Sequence, residues 1–125
     1  SLFLLECDTP DIHALQHLAH EYGATLLIDV AHDLGNLGPT GRGHIEIQNM
    51  LGQVDVVTGS FSKTFASNGG FVAARGQTIE RYMQHCSALN TMSDALSPAR
   101  AAIIGKAFDI VASLEGSVLR GKLMH

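Results

Sequence analysis

The sequence predicts an α/β fold, with helices on the faces of a mostly parallel sheet. Apolar runs at residues 2–6, 25–29 and 54–58 have the length of buried strands. A helical pattern separates the first two runs, and a strand, a helix and a second strand in succession indicate a parallel crossover. Two more helices are predicted at residues 77–87 and 98–114, so strands and helices alternate along the chain.

Caps and breakers define the elements of the first half. Residues 9–11, Thr-Pro-Asp, supply a helix cap and start, with proline tolerated in the first turn. The helix is predicted to end near Tyr22, because Gly23 follows. Residues 30–51 are rich in glycine, which predicts a long loop with one helical turn at residues 45–50. The apolar side of the first helix is expected to comprise Ile12, Leu15, Leu18 and Tyr22.

In the second half, residues 70–74 are expected to form a fourth strand. The segment 98–114 is rich in alanine and apolar residues, which predicts a helix packed on a core face.

Length, charge and cysteine content exclude several classes of function. A chain of 125 residues has room for one compact domain. Its net charge of −4, with 8 Lys plus Arg, gives no basic face for nucleic acid or anionic lipid. Cys7 and Cys86 lie far apart, which is typical of a reducing compartment and predicts a cytoplasmic protein. The apolar residues 2–5 are too few for a signal core or a membrane span.

Lys63 is the first candidate for chemistry. It lies among small hydroxyl residues in the segment 57–73, which closes with a glycine pair before an apolar strand. Partial desolvation lowers the pKa of a lysine and frees its nucleophilic amine, which is how carbonyl cofactors are held. A solvated loop lysine is the alternative for any isolated Ser-Lys pair.

Asp29 and His32 form the second candidate pair. Asp29 ends an apolar strand and His32 follows three residues later. Side chains at strand ends carry chemistry in α/β folds. The strand 54–58 lies between Asp29 and Lys63, so both are expected at one edge of the sheet.

Four segments together resemble the α-oxoamine synthases. They are Asp-Val-Ala-His at 29–32, Gly-Pro-Thr-Gly-Arg-Gly at 38–43, Gly-Ser-Phe-Ser-Lys at 59–63 and Gly-Gly-Phe-Val-Ala at 69–73, in the order of that family. The sequences of residues 38–43 and 59–63 are most similar to those of the serine palmitoyltransferases. Aminooxononanoate synthases and glycine acetyltransferases share the same motifs in the same order.

The resemblance implies a pyridoxal-phosphate enzyme with the fold-type-I aminotransferase architecture. Residues 1–125 would be part of the large cofactor-binding domain, without its N-terminal part and without the small C-terminal domain. The strand 70–74 would run antiparallel to its neighbours. A homodimer is expected, because active sites of the family lie at subunit interfaces.

The resemblance also implies a role for each candidate residue. Asp29 would keep the ring nitrogen of pyridoxal phosphate protonated, and His32 would bond the phenolic oxygen of the cofactor and orient the substrate. Lys63 would hold the cofactor as a Schiff base and then move the α-proton. Ser60 would contact the phosphate, and Arg42 belongs to the active-site loop. The implied reaction condenses an amino acid with an acyl-CoA thioester, releases carbon dioxide and yields an aminoketone.

Some positions depart from the family pattern. Leu4 replaces a serine that reaches the cofactor, and Val30 replaces a common acidic residue. In the family, a Thr or Ser near the position of Asp94 donates to the cofactor phosphate across the dimer. An aspartate at that position would repel the phosphate, and Thr91 or Ser93 is the alternative donor.

Several alternatives stay open. An aminotransferase or a decarboxylase on the same fold would share Asp29 and Lys63, and a non-catalytic subunit or fragment would retain them without turnover. A nucleotide triphosphatase is disfavoured, because Ser62 stands where the phosphate loop needs glycine. Three histidines could form a metal patch, but a solvated helix face explains them as well, so no metal is predicted. These histidines are His13, His17 and His20.

Overall fold

The computed structural model describes residues 1–3 and 5–123, which contain three strands and six helices. In chain order these are α1 (Ile12–Glu21), β1 (Leu27–Asp29), α2 (His44–Ile47), β2 (Val56–Ser60), β3 (Gly70–Ala74), α3 (Gln77–Cys86), α4 (Ala88–Met92), α5 (Pro98–Ala112) and α6 (Leu114–Leu123).

The strands form one mixed sheet in the order β1–β2–β3. β1 and β2 are parallel, with Asp29 opposite Thr58. β2 and β3 are antiparallel, with Ser60 opposite Gly70. The predicted combination of parallel strands with one antiparallel strand is confirmed. Because β1 and β2 run in the same direction, their carboxyl ends lie at the same edge of the sheet.

Two apolar clusters hold helices against this sheet. The larger joins α1, α2 and the β1 region, and the smaller joins the segment after β2 to α5. Burial of each large apolar side chain contributes about 1.5–3 kcal/mol. The members of the larger cluster are Ile12, Ile28, Val30, Ile45, Met50 and Val54, and those of the smaller are Phe61, Phe65 and Ile104.

The predicted limits of α1 are close to those observed. Asp11 caps the helix by accepting a hydrogen bond of 2.9 Å from the N–H of Ala14. Pro10 precedes this cap and does not lie in the first turn. Gly23, with φ of +61°, follows the helix end.

The prediction of which side of α1 is buried is wrong beyond Ile12. Leu18 and Tyr22 are 51% and 75% exposed, whereas Gln16 is 6% exposed. Gln16 lies inside because its amide nitrogen donates to Asp55 Oδ2 over 3.3 Å. A hydrogen-bonded amide on the inner face is invisible to apolar periodicity, which assigned that face to the leucines.

Asp55 also fixes the entry to β1. Its Oδ2 accepts a hydrogen bond of 2.9 Å from the N–H of Leu26. That bond holds the pKa of Asp55 below its ordinary value; burial opposes the shift, and the Gln16 bond and the charges of His20 and Arg75 add to it.

The predicted strand at residues 2–6 is wrong. The carbonyl of Phe3 accepts a hydrogen bond of 3.0 Å from the N–H of Cys7, and the N–H of Phe3 donates to Asp8 over 3.0 Å. Leu5 lies in the resulting turn and is 86% exposed. Backbone groups that a strand would offer to a neighbour therefore bond within the turn. Leu4 lies outside the described residues.

The helices of the second half begin where expected. α5 starts at Pro98 behind a Ser97 cap, but a core face is confirmed only in part, because Ile104 is buried while Ile103 is 53% exposed. The sequence did not predict α4 or α6. No helix in the described part of the chain is both long and apolar enough to cross a bilayer.

Candidate active site

Asp29 is held at the carboxyl end of β1 by two hydrogen bonds. Its Oδ2 accepts from the hydroxyl of Thr58 over 2.8 Å, and its Oδ1 accepts from the N–H of Ala31 over 2.9 Å. Thr58 is its register partner on β2. A carboxylate offers about four lone-pair sites, so the exposed Asp29 keeps acceptor capacity for a cation or a protonated nitrogen.

Lys63 lies on the segment that leaves β2 at this same edge of the sheet. Two buried phenylalanines flank it, Phe61 at 7% and Phe65 at 2% exposure, with ring centroids 5.5 Å apart in an edge-to-face arrangement. Phe108 of α5 packs against both rings, with its centroid 4.5 Å from that of Phe65. The Lys63 side chain itself is exposed.

Ser60 is the last residue of β2 and organises the start of the lysine segment. Its Oγ accepts a hydrogen bond of 3.1 Å from the N–H of Ser62 and lies 2.8 Å from Ser62 Oγ. The hydroxyl is half-buried and therefore still reachable from solvent.

His32 lies half-buried in the turns that follow β1. The carbonyl of Val30 accepts hydrogen bonds of 3.2 and 2.9 Å from the N–H groups of Asp33 and Leu34. The side-chain amide of Asn36 donates to the carbonyl of His32 over 2.9 Å. These bonds fix the backbone on both sides of the imidazole.

Asp33 is a buried residue that the sequence did not single out. It is fully buried, and its Oδ2 accepts hydrogen bonds from the N–H of His44, over 2.7 Å, and from the hydroxyl of Ser1. A Cβ at Gly43 would lie 2.7 Å from the same oxygen. Asp33 thus ties the start of the glycine-rich loop to its end. The only sign of Asp33 in the sequence is that it follows His32 in a loop, and this is a weak signal.

Glu46 holds the tip of the loop at residues 38–43. Its carboxylate accepts from the hydroxyl and the N–H of Thr40, over 2.7 and 3.1 Å, and from the N–H of Arg42, over 3.1 Å. Burial raises the pKa of Glu46, but these bonds and the Arg42 charge outweigh it, so the pKa is lowered. Arg42 is exposed and lies in the loop as predicted.

The glycine pair before β3 has a packing role inside the sheet. A Cβ at Gly70 would lie 2.5 Å from the carbonyl oxygen of Gly59 on β2, and Gly69 has a φ of +91°. Gly70 therefore lets β2 and β3 approach closely, while Gly69 supplies the positive φ just before β3.

A large cleft in the described part of the chain is not lined by Asp29, His32 or Lys63. It has a volume of about 1080 Å³ and lies along β3, α3 and α4. Asp94 lines it and is exposed. Thr91 and Ser93, the alternative donors, bond instead to the carbonyls of Ser87, over 3.1 Å, and of Leu89.

The three histidines of α1 do not converge. His13 bonds to the carbonyl of Gln48 over 2.8 Å, and His20 bonds to Gln16 over 2.8 Å. Within residues 1–3 and 5–123, no group of three or more His, Cys, Asp or Glu side chains is placed to hold a metal ion.

Sequence reasoning also missed Thr58. It could have been found by aligning the ends of the strands 25–29 and 54–58, which pairs position 58 with Asp29. The four predicted residues are therefore distributed around one sheet edge: Asp29 on β1, His32 after it, Ser60 on β2 and Lys63 after it.

Comparison with known proteins identifies the family of the chain. The family model for aminotransferase class I and II matches residues 6–125. The chain is 34% identical over 122 residues to 8-amino-7-oxononanoate synthase of Geobacter metallireducens, covering 98% of this chain and 31% of that protein. It is 36% identical over 112 residues to serine palmitoyltransferase of Sphingobacterium spiritivorum, covering 90% of this chain and 28% of that protein. The chain thus spans less than a third of these relatives.

Solved structures resemble the fold as well. A structure of SPT with a PLP internal aldimine superposes with a TM-score of 0.80 at 28% identity, covering 90% of this chain and 28% of that one. This likeness confirms the predicted fold class. The chain belongs to the aminotransferase class I and II family, and within that family it is the α-oxoamine synthases that it resembles.

Proposed function

We propose that the protein carrying this chain is a pyridoxal-phosphate-dependent acyltransferase of the α-oxoamine synthase type, with residues 1–125 as part of its large domain. The observation that carries the proposal is that Asp29 ends β1 and Lys63 follows the adjacent parallel strand β2, at one edge of the sheet. The names of the relatives, and the SPT structure with PLP, support the same reading.

The side chains at this edge fit the cofactor. Pyridoxal phosphate supplies an electron sink for a carbanion, and it needs a carboxylate at its ring nitrogen, an amine at its aldehyde and donors at its phosphate. Asp29 has lone pairs left after its bonds to Thr58 and Ala31. Lys63 presents an exposed amine and Ser60 a reachable hydroxyl.

Each residue then has a distinct task. Asp29 holds a proton on the ring nitrogen through its negative charge. Lys63 would hold the cofactor through its Nζ and would then carry the α-proton to and from the substrate. His32, fixed by the turns after β1, orients the substrate, and Ser60 donates to the phosphate.

The proposed overall reaction takes an amino acid and an acyl-CoA to an aminoketone, carbon dioxide and free coenzyme A. A carbon–carbon bond forms at the thioester carbonyl, the thiolate leaves, and the amino-acid carboxyl group departs as carbon dioxide. A homodimer is part of the proposal, because active sites of the family that the chain resembles lie at subunit interfaces. The cytoplasmic location stays a prediction.

The proposal is tested by trapping the cofactor on its lysine. The full-length protein is loaded with pyridoxal phosphate, reduced with borohydride and mapped by peptide mass spectrometry. An adduct on Lys63, absent in Lys63→Ala, supports the assignment; Lys106 and Lys122 serve as internal controls. An adduct elsewhere, or none, overturns it and favours a non-catalytic relative.

The reaction type is decided by the release of labelled carbon dioxide from carboxyl-labelled amino acids. Release that requires an acyl-CoA supports condensation. Release without a thioester identifies a decarboxylase, and amino transfer to a keto acid without release identifies an aminotransferase.

A further inference from the structure

Arg120 of α6 joins the end of α5 to the glycine-rich loop. Its Nη1 donates to the carbonyl of Val111 over 2.8 Å, and its Nη2 donates to the carbonyl of Pro39 over 3.0 Å, across 81 positions of sequence. A guanidinium serves two carbonyls at once because its donors form a planar fork.

The first of these bonds fixes the guanidinium. Val111 lies in the last turn of α5, where carbonyls lack partners within the helix. A cation at a helix C-terminus is favourable because of the helix dipole. Arg120 is half-buried, so solvent screens this contact only in part.

The loop approaches α5 and Arg120 closely. A Cβ at Gly41 would lie 2.8 Å from Val111 Cγ1 and 3.1 Å from Arg120 Nη1, and Gly41 has a φ of +81°. Glycine at position 41 thus permits the contact. A cavity of about 330 Å³ between the loop and α6, lined in part by Asn36 and Arg120, leaves the loop room to move if the guanidinium is removed.

Hydrogen bonds continue from this contact to His32. The carbonyl of Gly41 accepts from the N–H of Gly35 over 2.7 Å. The next residue, Asn36, donates from its side chain to the carbonyl of His32 over 2.9 Å. The loop tip that Arg120 holds is therefore connected to the backbone of His32.

We propose that Arg120 is a positioning residue that fixes His32 through the loop at residues 34–43. The inference rests on the proposed function for the role of His32, but not for the contact itself. Through Arg120, the orientation of the imidazole depends on how α5 and α6 pack against the loop.

The first test is hydrogen exchange of the full-length protein without cofactor. Arg120→Met keeps the aliphatic stem and removes both donors, and Lys122→Met removes a charge from the same helix as a matched control. We expect exchange in peptides of residues 34–43 to accelerate about tenfold in Arg120→Met, as loss of about 1.4 kcal/mol of local stability implies. Peptides of α1 should not change, and Arg120→Lys should be intermediate. Unchanged exchange, or faster exchange everywhere, overturns the inference.

The second test reports on His32 itself. In protein labelled with ¹³C-histidine, the ring resonance of His32 is assigned with His32→Gln. We expect it to shift in Arg120→Met and to stay in place in Lys122→Met. A loosened loop with an unmoved His32 resonance overturns the positioning role. Neither test needs bound cofactor, so a missing Lys63 adduct would sink the proposed function without deciding this one.

Discussion

Thr58 stands opposite Asp29 in the parallel β1–β2 ladder, and its hydroxyl donates a hydrogen bond of 2.8 Å to Asp29 Oδ2. The ladder therefore sets the direction of the carboxylate, because the two residues are fixed in register. Together with the N–H of Ala31, Thr58 orients the group that the proposed function places at the cofactor ring.

Loss of the Thr58 hydroxyl should weaken cofactor binding. Thr58→Val keeps the branched shape suited to a strand but removes one hydrogen bond, and a solvent-exposed bond of this kind contributes about 1 kcal/mol. We expect the Kd for pyridoxal phosphate, measured by fluorescence titration, to rise about three- to tenfold. Thr78→Val on the exposed surface of α3 is the control. Equal affinity for Thr58→Val and wild type would show that Asp29 needs no support from β2.

A methyl group at Gly43 should destabilise the loop more than the same change at Gly52. Both glycines have positive φ, +85° and +73°, so Ala costs about 1–2 kcal/mol at each through backbone strain. Only at Gly43 would the new Cβ clash, 2.7 Å from Asp33 Oδ2. We expect urea denaturation to show that Gly43→Ala lowers the free energy of unfolding by at least about 1 kcal/mol more than Gly52→Ala does. Equal losses of unfolding free energy in the two variants would mean that the Asp33 side chain moves away from the new methyl group at no cost.

Glu46 should make stability depend on acid pH. Its pKa in the folded chain is below the ordinary value of 4.5, so its carboxylate stabilises the fold above that value, and the contribution is lost as pH falls through the folded pKa. We expect Glu46→Gln to reduce the free energy of unfolding by about 1 kcal/mol at pH 7 and by less as pH falls below 4.5. Glu6→Gln, in an exposed turn, should show no such trend. A pH-independent Glu46→Gln penalty would contradict the ionic origin.

Removing the charge of Asp94 should favour the cofactor if this residue faces the phosphate in the assembled protein. Asp94→Asn keeps the size and turns an acceptor-only group into one that also donates. We expect pyridoxal phosphate to bind about two- to fivefold more tightly, since exposed charge pairs contribute less than about 1 kcal/mol. Glu80→Gln in the same cleft is the control. An equal gain in both variants would indicate a general effect of net charge.

The positions of Asp29 and Lys63 relative to the strands could be predicted from the sequence, whereas the hydrogen bonds around the loop could not. Asp29 and Lys63 could be placed at one edge because strand ends follow from apolar runs and turn residues. Asp33 and Glu46 escaped notice because their roles depend on backbone N–H groups that a folded loop brings together, and no side-chain pattern records those.

The misjudged elements of the fold have a common cause. Four residues that are apolar in sequence are exposed in the structure, namely Phe3, Leu5, Leu15 and Leu18. Apolar patterning identifies surface that favours burial, but it does not identify what covers that surface. Where a polar group such as Gln16 has a partner inside, it takes the inner position.

Phe61 and Phe65 have one more consequence for the amine between them. Because both rings pack in the aromatic cluster with Phe108, the backbone on either side of Lys63 is held in place. Under the proposed function, any movement of the Lys63 amine between the cofactor and the substrate must therefore come from rotation of its own methylene chain. The length of the Lys63 side chain limits how far the amine can reach. A substitution that changes this length by one carbon should therefore reduce the proposed activity more than one that makes the loop more flexible.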